Sequence, residues 1–386
     1  MNHSVVQAAR GFALGKYCIS KAHLTRTLTT MNAMVYEGPG KRSWKSVPKP
    51  TLKDSTDVVI KTVSTTICGT DLHISKGDVP DVKPGTILGH EAIGIVDEVS
   101  SGVKKFKKGD KVVVSCITSC GNCYYCKKNL QSHCLSGGWQ LGHTINGTQA
   151  EYTRIPHADH SLYHVPAGAN DKAILMLSDI LPTGYEIGVL ASNIQQGDTV
   201  AIVGAGPIGL ACLITSLPFK PARIIMIDRD DQRLEASRKF GATDTINPDK
   251  VDYKQAVHQI AAEANKARSK ESLEGGADVA IECVGIPSTW DICQEIIAPG
   301  GRIANVGVHG SKVDLNLQEL WIKNISISTG LVNTFSTPDL MNRIQTKAID
   351  AAKIVTHDFK LCDICRAYDV FGNAAHNRAI KMFIEA

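Results

Sequence analysis

Between Ile67 and Ile95 the chain reads ICGTDLHISKGDVPDVKPGTILGHEAIGI. This stretch offers a thiolate at Cys68, an imidazole at His90 and a carboxylate beside it at Glu91. Thr70, Asp71 and His73 lie between them. Thiolate and imidazole are zinc donors, and a catalytic zinc keeps three protein ligands and one open position. A lone cysteine or histidine is more often core filler or a satisfied polar group. Cys-Gly-Thr-Asp-Leu-His followed by Gly-His-Glu is far more specific. Glu91 either supports a ligand from behind or takes a place at the metal.

Farther on, Cys120-Gly-Asn-Cys123-Tyr-Tyr-Cys126 is followed by Cys134. Three thiols at spacing three and a fourth after a loop can close a tetrahedral shell around one zinc. Four thiolates leave no open position, so such a metal is structural and fixes a lobe that lacks its own core. Cys116 is out of register with these four. Cys362 and Cys365 are spaced C-x-x-C but have no second pair. The chain has 12 cysteines and no apolar secretion signal, which favours metal binding over disulfides.

A third motif joins a strand to a helix. Asp198–Val203 is an apolar strand, then come Gly204-Ala-Gly206-Pro207-Ile208-Gly209 and a helical run. Such glycines permit a tight turn and close approach of backbone to a pyrophosphate, which a helix N-terminus attracts. Arg223–Ile227 supplies a second strand ending at Asp228, a carboxylate placed to accept from both adenosine ribose hydroxyls. It would repel a 2′-phosphate and so favours NAD over NADP, although Arg229 could soften that rejection.

The elements that must position these groups fall into two kinds. Asp57–Thr66, Ala92–Val99 and Lys111–Ser115 read as strands separated by turns, which suggests a partly closed β-domain. After about Pro182, βα units follow one another, with Ala277–Glu282 running into Cys283-Val284-Gly285 and Gly301–Val306 into Gly307-Val308. A chain of 386 residues is long for one core and suggests two domains. The tail adds a helix around Asp339–Ile349 and a last strand, Ile380–Ile384. The charged stretch Lys266–Glu274 reads as a solvated loop.

The formal charge is +4, with 42 lysines and arginines against 38 acids. Arg10, Lys16, Lys21 and Arg26 account for the excess, since residues 1–30 hold no acid. The body is therefore neutral and has no electrostatic footprint for a nucleic acid. No apolar run approaches the roughly 20 residues of a membrane helix. The acid-free, Ser/Thr-rich front end reads as an organellar presequence, mitochondrial by preference. Matrix localisation is the expectation, or cytoplasmic if the segment is not used for import.

The zinc-ligand segments and the four-cysteine lobe resemble those of a zinc-dependent medium-chain alcohol dehydrogenase, from about Met34 to the C-terminus. The resemblance implies a GroES-like β-rich catalytic domain at 31–181, an inserted Rossmann NAD-binding domain (a doubly wound parallel sheet) at 182–330 and a catalytic return segment at 331–386. It makes Cys68 and His90 ligands of a catalytic zinc. Many relatives place a third cysteine where this chain reads Leu177-Ser-Asp179, and Asp179 is the expected ligand here. Arg233 would line the adenosine site, and Val284, Val306 and Val308 the nicotinamide, with Thr183 near its carboxamide. Thr70 would take the alcohol proton, a cofactor ribose hydroxyl would pass it to His73, and Asp71 would hold the second nitrogen of His90. The expected reaction is reversible oxidation of a primary or secondary alcohol, with two zinc ions per chain and NAD. Polyol, threonine and formaldehyde dehydrogenases of similar build are alternatives. The expected partner is a small alcohol or aldehyde, and the expected assembly a homodimer or homotetramer.

Overall fold

The computed structural model describes residues 29–269 and 275–386. Almost all of the expected presequence lies outside these residues. Two sheets organise the chain. The first runs, in spatial order, Val355–Lys360, Lys381–Glu385, Val58–Thr65, Ala92–Val99, Lys111–Val114 and Leu162–His164, with Tyr152–Ile155 also on Val58–Thr65. Its pairs are antiparallel except Val355–Lys360 with Lys381–Glu385. The tail therefore returns into the first sheet. A hairpin, Thr30–Gly38 with Lys41–Pro48, lies beside it.

The second sheet is wholly parallel, in the order Asp244–Ile246, Arg223–Ile227, Thr199–Val203, Ala277–Glu282, Ile297–Asn305, Ser326–Thr329. Thr199–Val203 is buried throughout, as expected of a parallel strand covered on both faces. The winding direction reverses between Thr199–Val203 and Ala277–Glu282. In an open α/β sheet a ligand binds outside the carboxyl ends of the strands at such a switch point. The glycine loop and the Cys283-Val-Gly285 loop both open there.

The connection between the sheets is helical but broken. Asp171–Ser178 and Ile180–Leu190 meet at an angle of 56°. Asp179, at the break, has φ −149° and ψ −71°, outside helical geometry. Glu186, on the second arm, accepts from the amides of Asn333, Thr334 and Ser336. One carboxylate thus fastens the start of the return segment to the coenzyme side. No single helix among the described residues is long and apolar enough to cross a membrane. The stretch expected as a loop from Lys266 begins instead inside a helix, Tyr253–Ser269, whose buried Val257, Ala261 and Ala264 carry an apolar stripe into the charged end.

Candidate active site and metal centres

Cys68 caps the N-terminus of helix Gly69–Lys76, and Asp71 in its first turn accepts from the Cys68 amide at 2.9 Å. That capping bond fixes the cysteine at the helix mouth. His90 follows Gly89, whose φ of +91° places it in the left-handed region. A Cβ at Gly89 would stand 2.6 Å from Gln149 Cγ, so glycine is required on both counts. Asp179 projects from the helix break and is held by Thr183, whose hydroxyl donates to Oδ1 at 2.7 Å.

These three segments converge. Asp179 Oδ2 stands 3.4 Å from Cys68 Sγ and 3.3 Å from His90 Nε2. Donor atoms of Cys68, His90, Glu91 and Asp179 all lie within 4.8 Å of one another. Burial disfavours a charged imidazole, but hydrogen bonds with Asp179 and Cys68 outweigh it and push His90 well above its ordinary value. Burial also favours a neutral Asp179, yet the His90 hydrogen bond, the charges of His90 and Lys381 and the Thr183 hydroxyl hold the carboxyl well below the usual range. Burial, then the Asp179 charge, raises the Cys68 thiol. Thiol and imidazole hold their protons against a carboxylate that stays charged, so the three donors crowd together as a set built around a cation should. The residues fit zinc.

Glu91 is buried within the same cluster, and its Oε1 accepts from Lys381 Nζ at 2.7 Å while Oε2 has no hydrogen-bond partner among the described residues. Lys381 also donates to the Ile67 carbonyl at 3.2 Å. Of the two roles open to Glu91, support from behind the ligands accords with this ion pair. Lys381 sits on the last strand and has no local motif; sequence reasoning missed it. Cys116, set aside from the sequence, lies beside the site, with Sγ 3.7 Å from Asp179 Oδ1. Burial drives its thiol well above its ordinary value, so it is a neutral neighbour.

The lobe gathers its four cysteines. Cys120 and Cys126 sulfurs are 4.0 Å apart, as are those of Cys123 and Cys134. A tetrahedron with Zn–S bonds of about 2.3 Å has edges of ~3.8 Å. Amides of Cys126 and Leu135 aim at Cys123 and lower its thiol to about 6, so this ligand is ready as thiolate. These residues also fit zinc. Cys123→Ser should leave about one zinc per chain by metal analysis and lower the melting temperature, because an incomplete shell binds poorly. Two zincs retained in the variant would overturn the four-ligand assignment.

In the coenzyme region Gly204 has φ +107°, and a Cβ at Gly209 would stand 1.8 Å from the Gly204 carbonyl oxygen. The turn and the helix Pro207–Ser216 can close only around glycine. Arg233 Nη1 reaches to 3.8 Å from where a Cβ on Gly206 would be. Asp228 accepts from the Ala205 amide at 2.7 Å and the Asp230 amide at 2.9 Å, one bond per oxygen. Val284 and Val308 are exposed, while Val306 is buried. Gly285 packs against the Val308 backbone, which joins the two loops expected along the nicotinamide.

Comparison with known proteins agrees with this architecture. The alcohol dehydrogenase GroES-like domain family matches residues 54–167, and the zinc-binding dehydrogenase family residues 207–346. Zinc-type alcohol dehydrogenase B of Aspergillus flavus is 37% identical over 313 residues, covering 79% of this chain and 70% of that protein. An alcohol dehydrogenase of Cupriavidus necator is 32% identical over 370 residues, covering 89% and 95%. The solved structure of zinc dependent alcohol dehydrogenase 2 from Streptococcus pneumonia, in its apo form, superposes with a TM-score of 0.84 at 50% identity, covering 92% and 98%. With a GroES-like sheet, a parallel coenzyme-type sheet and a thiolate–imidazole–carboxylate cluster between them, this chain belongs to the zinc-dependent medium-chain alcohol dehydrogenases.

Proposed function

We propose that this chain oxidises primary or secondary alcohols reversibly to aldehydes or ketones, with NAD as hydride acceptor and a catalytic and a structural zinc per chain. The observation that carries the reading is the convergence of Cys68, His90 and Asp179, with Asp179 bonded to Thr183 at the head of the helix leading to the coenzyme-type sheet. When bound, zinc supplies a Lewis acid that lowers the pKa of an alcohol oxygen, and hydride chemistry belongs to the coenzyme.

The chain's own residues position these groups and move the proton. Thr70 lies one residue into helix Gly69–Lys76, with Oγ1 3.7 Å from Cys68 Sγ. It is placed to accept from a substrate hydroxyl that has reached the ligand cluster. His73 is one turn farther and exposed, with Nδ1 3.0 Å from Asp78 Oδ2. That carboxylate leaves Nε2 free to act at the solvent edge. Zinc content together with NAD reduction by ethanol, propan-2-ol, sorbitol and formaldehyde tests the reading. The expected result is two zincs and turnover of ethanol or propan-2-ol. Zinc-free protein inert toward all four would overturn it.

Asp228 supports NAD. Each of its oxygens keeps a lone pair for a ribose hydroxyl, and Arg229, which could welcome a 2′-phosphate, is turned to Asp249 at 2.6 Å. Asp228→Gly should raise KM for NAD about tenfold or more, since a hydrogen bond to a charged group contributes ~1.5 kcal/mol or more. Relative use of NADP should improve. Wild type preferring NADP would refute the assignment.

A homodimer or homotetramer is supported by the sheet's open edge, Ser326–Thr329, with exposed Leu317, Trp321, Ile322 and Ile327 on or near it. Such a surface invites pairing. Import into the mitochondrial matrix is supported by the acid-free front end.

A further inference from the structure

A buried polar chain lies behind His90, and the proton route does not use it. Asp71 Oδ2 accepts from the Cys68 amide and from Gln149 Nε2, the latter at 3.1 Å. Among the described residues Asp71 Oδ1 has no hydrogen-bond partner, and it faces His90 Nδ1, which has none either, at 3.9 Å. Gln149 Nε2 also donates to the Thr66 carbonyl at 3.1 Å, and Gln149 Oε1 accepts from the Tyr368 hydroxyl at 2.8 Å. A flipped amide would set its oxygen against two acceptor oxygens, so this orientation is determined. Gln149 is 0% exposed and Tyr368 is 1% exposed.

The backbone at Gln149 holds the other side of the same ligand. Its N–H donates to the Leu88 carbonyl at 2.9 Å, and the Thr148 N–H to the Gly89 carbonyl at 2.9 Å. The side chain then fills the space left open by Gly89. One residue therefore touches both the segment that carries His90 and the carboxylate that faces its ring.

We propose that Gln149 is a positioning residue for His90, and through it for the cleft zinc, with Tyr368 holding its amide in place. The proposal rests on the zinc reading above. Two N–H donors anchor Asp71 Oδ2, which leaves Oδ1 as the oxygen aimed at the histidine. A proton on Nδ1, on the side of the ring that faces Asp71 Oδ1 across 3.9 Å, leaves Nε2 toward Cys68 and Asp179 as the donor nitrogen.

The test compares zinc release into excess chelator from wild type, Gln149→Met and Tyr368→Phe. The Asp179→Ala protein, holding lobe zinc only, identifies the lobe phase. Cleft zinc should leave about 10–100-fold faster from Gln149→Met, the range for outer-sphere partners of a metal ligand. It should leave about threefold or more faster from Tyr368→Phe, which keeps the amide but not its anchor. Lobe zinc should leave both variants at the wild-type rate. Cleft zinc released at the wild-type rate overturns the proposal, and so does equal acceleration of both zincs, which signals general loosening. If Gln149→Met does not fold, Tyr368→Phe decides by the same criteria. Wild type carrying lobe zinc alone would overturn the zinc reading, and the proposal with it. Two zincs with unchanged release would overturn only the role of Gln149.

Discussion

Replacing Asp179 with alanine should remove the cleft zinc and abolish turnover while leaving NAD binding largely intact. The carboxylate is the hub of the site, within 3.4 Å of both Cys68 Sγ and His90 Nε2. Alanine leaves two ligands, one of them a thiol that burial pushes toward its neutral form, and two ligands hold zinc poorly. Lewis-acid activation contributes several kcal/mol, and each ~1.4 kcal/mol is a factor of ten. The fall in kcat should therefore be about 10³-fold or more. The glycine loop and Asp228 belong to the parallel sheet, so NAD should still quench protein fluorescence at similar concentrations. Asp179→Cys should retain cleft zinc, since thiolate is a competent donor, though with altered activity. Should Asp179→Ala keep both zincs and near-normal kcat, the assignment falls and Glu91 becomes the ligand to test.

The site was legible where its residues are close in sequence. Cys68 with Thr70, Asp71 and His73, and the four lobe cysteines, are neighbours in sequence, and one helix turn or one loop sets their geometry. Strands bounded by turn residues were legible too: Ala92–Val99, Arg223–Ile227 and Ala277–Glu282 run as expected. The strand expected from Gly301 starts earlier, at Ile297, because Ile297 pairs with Ala277 before a break in register. Local propensity does not encode such a pairing across strands. Asp179 needed the family resemblance, since its position depends on a helix break that no motif marks. Gln149, Tyr368 and Lys381 were invisible for a stronger reason. Their side chains' hydrogen-bond partners lie 78 to 314 residues away, and only the return of the tail into the first sheet brings Lys381 and Tyr368 to the cleft. Cys116 shows the converse. It is out of place in the lobe's spacing because it belongs beside Asp179.

Lys381→Met should lower stability by about 3–5 kcal/mol in denaturant unfolding, the cost of breaking a buried ion pair from one side. Both members are 1% exposed. Burial lowers the affinity of Lys381 for its proton, but the charges of Glu91, Cys68 and Asp179 outweigh that and raise its pKa. Burial raises the Glu91 carboxyl, and the Lys381 charge is the largest influence opposing that rise. Without the lysine, Glu91 is driven farther toward its neutral form. The sign of the pH dependence follows. An acid whose folded pKa is raised binds more protons folded than unfolded, so stability falls as pH rises from the ordinary glutamate value of 4.5 toward the folded one. Acidification from neutral pH into that window should therefore narrow the deficit of Lys381→Met relative to wild type. Adding Glu91→Gln should recover most of the loss, because it removes the charge that the lysine had balanced, whereas Glu91→Gln alone strands the lysine and should also destabilise. A single Lys381→Met costing under about 1 kcal/mol would show that the pair does not hold the last strand to the ligand cluster. An unimproved double variant would show that the loss came from packing and not from an unbalanced charge.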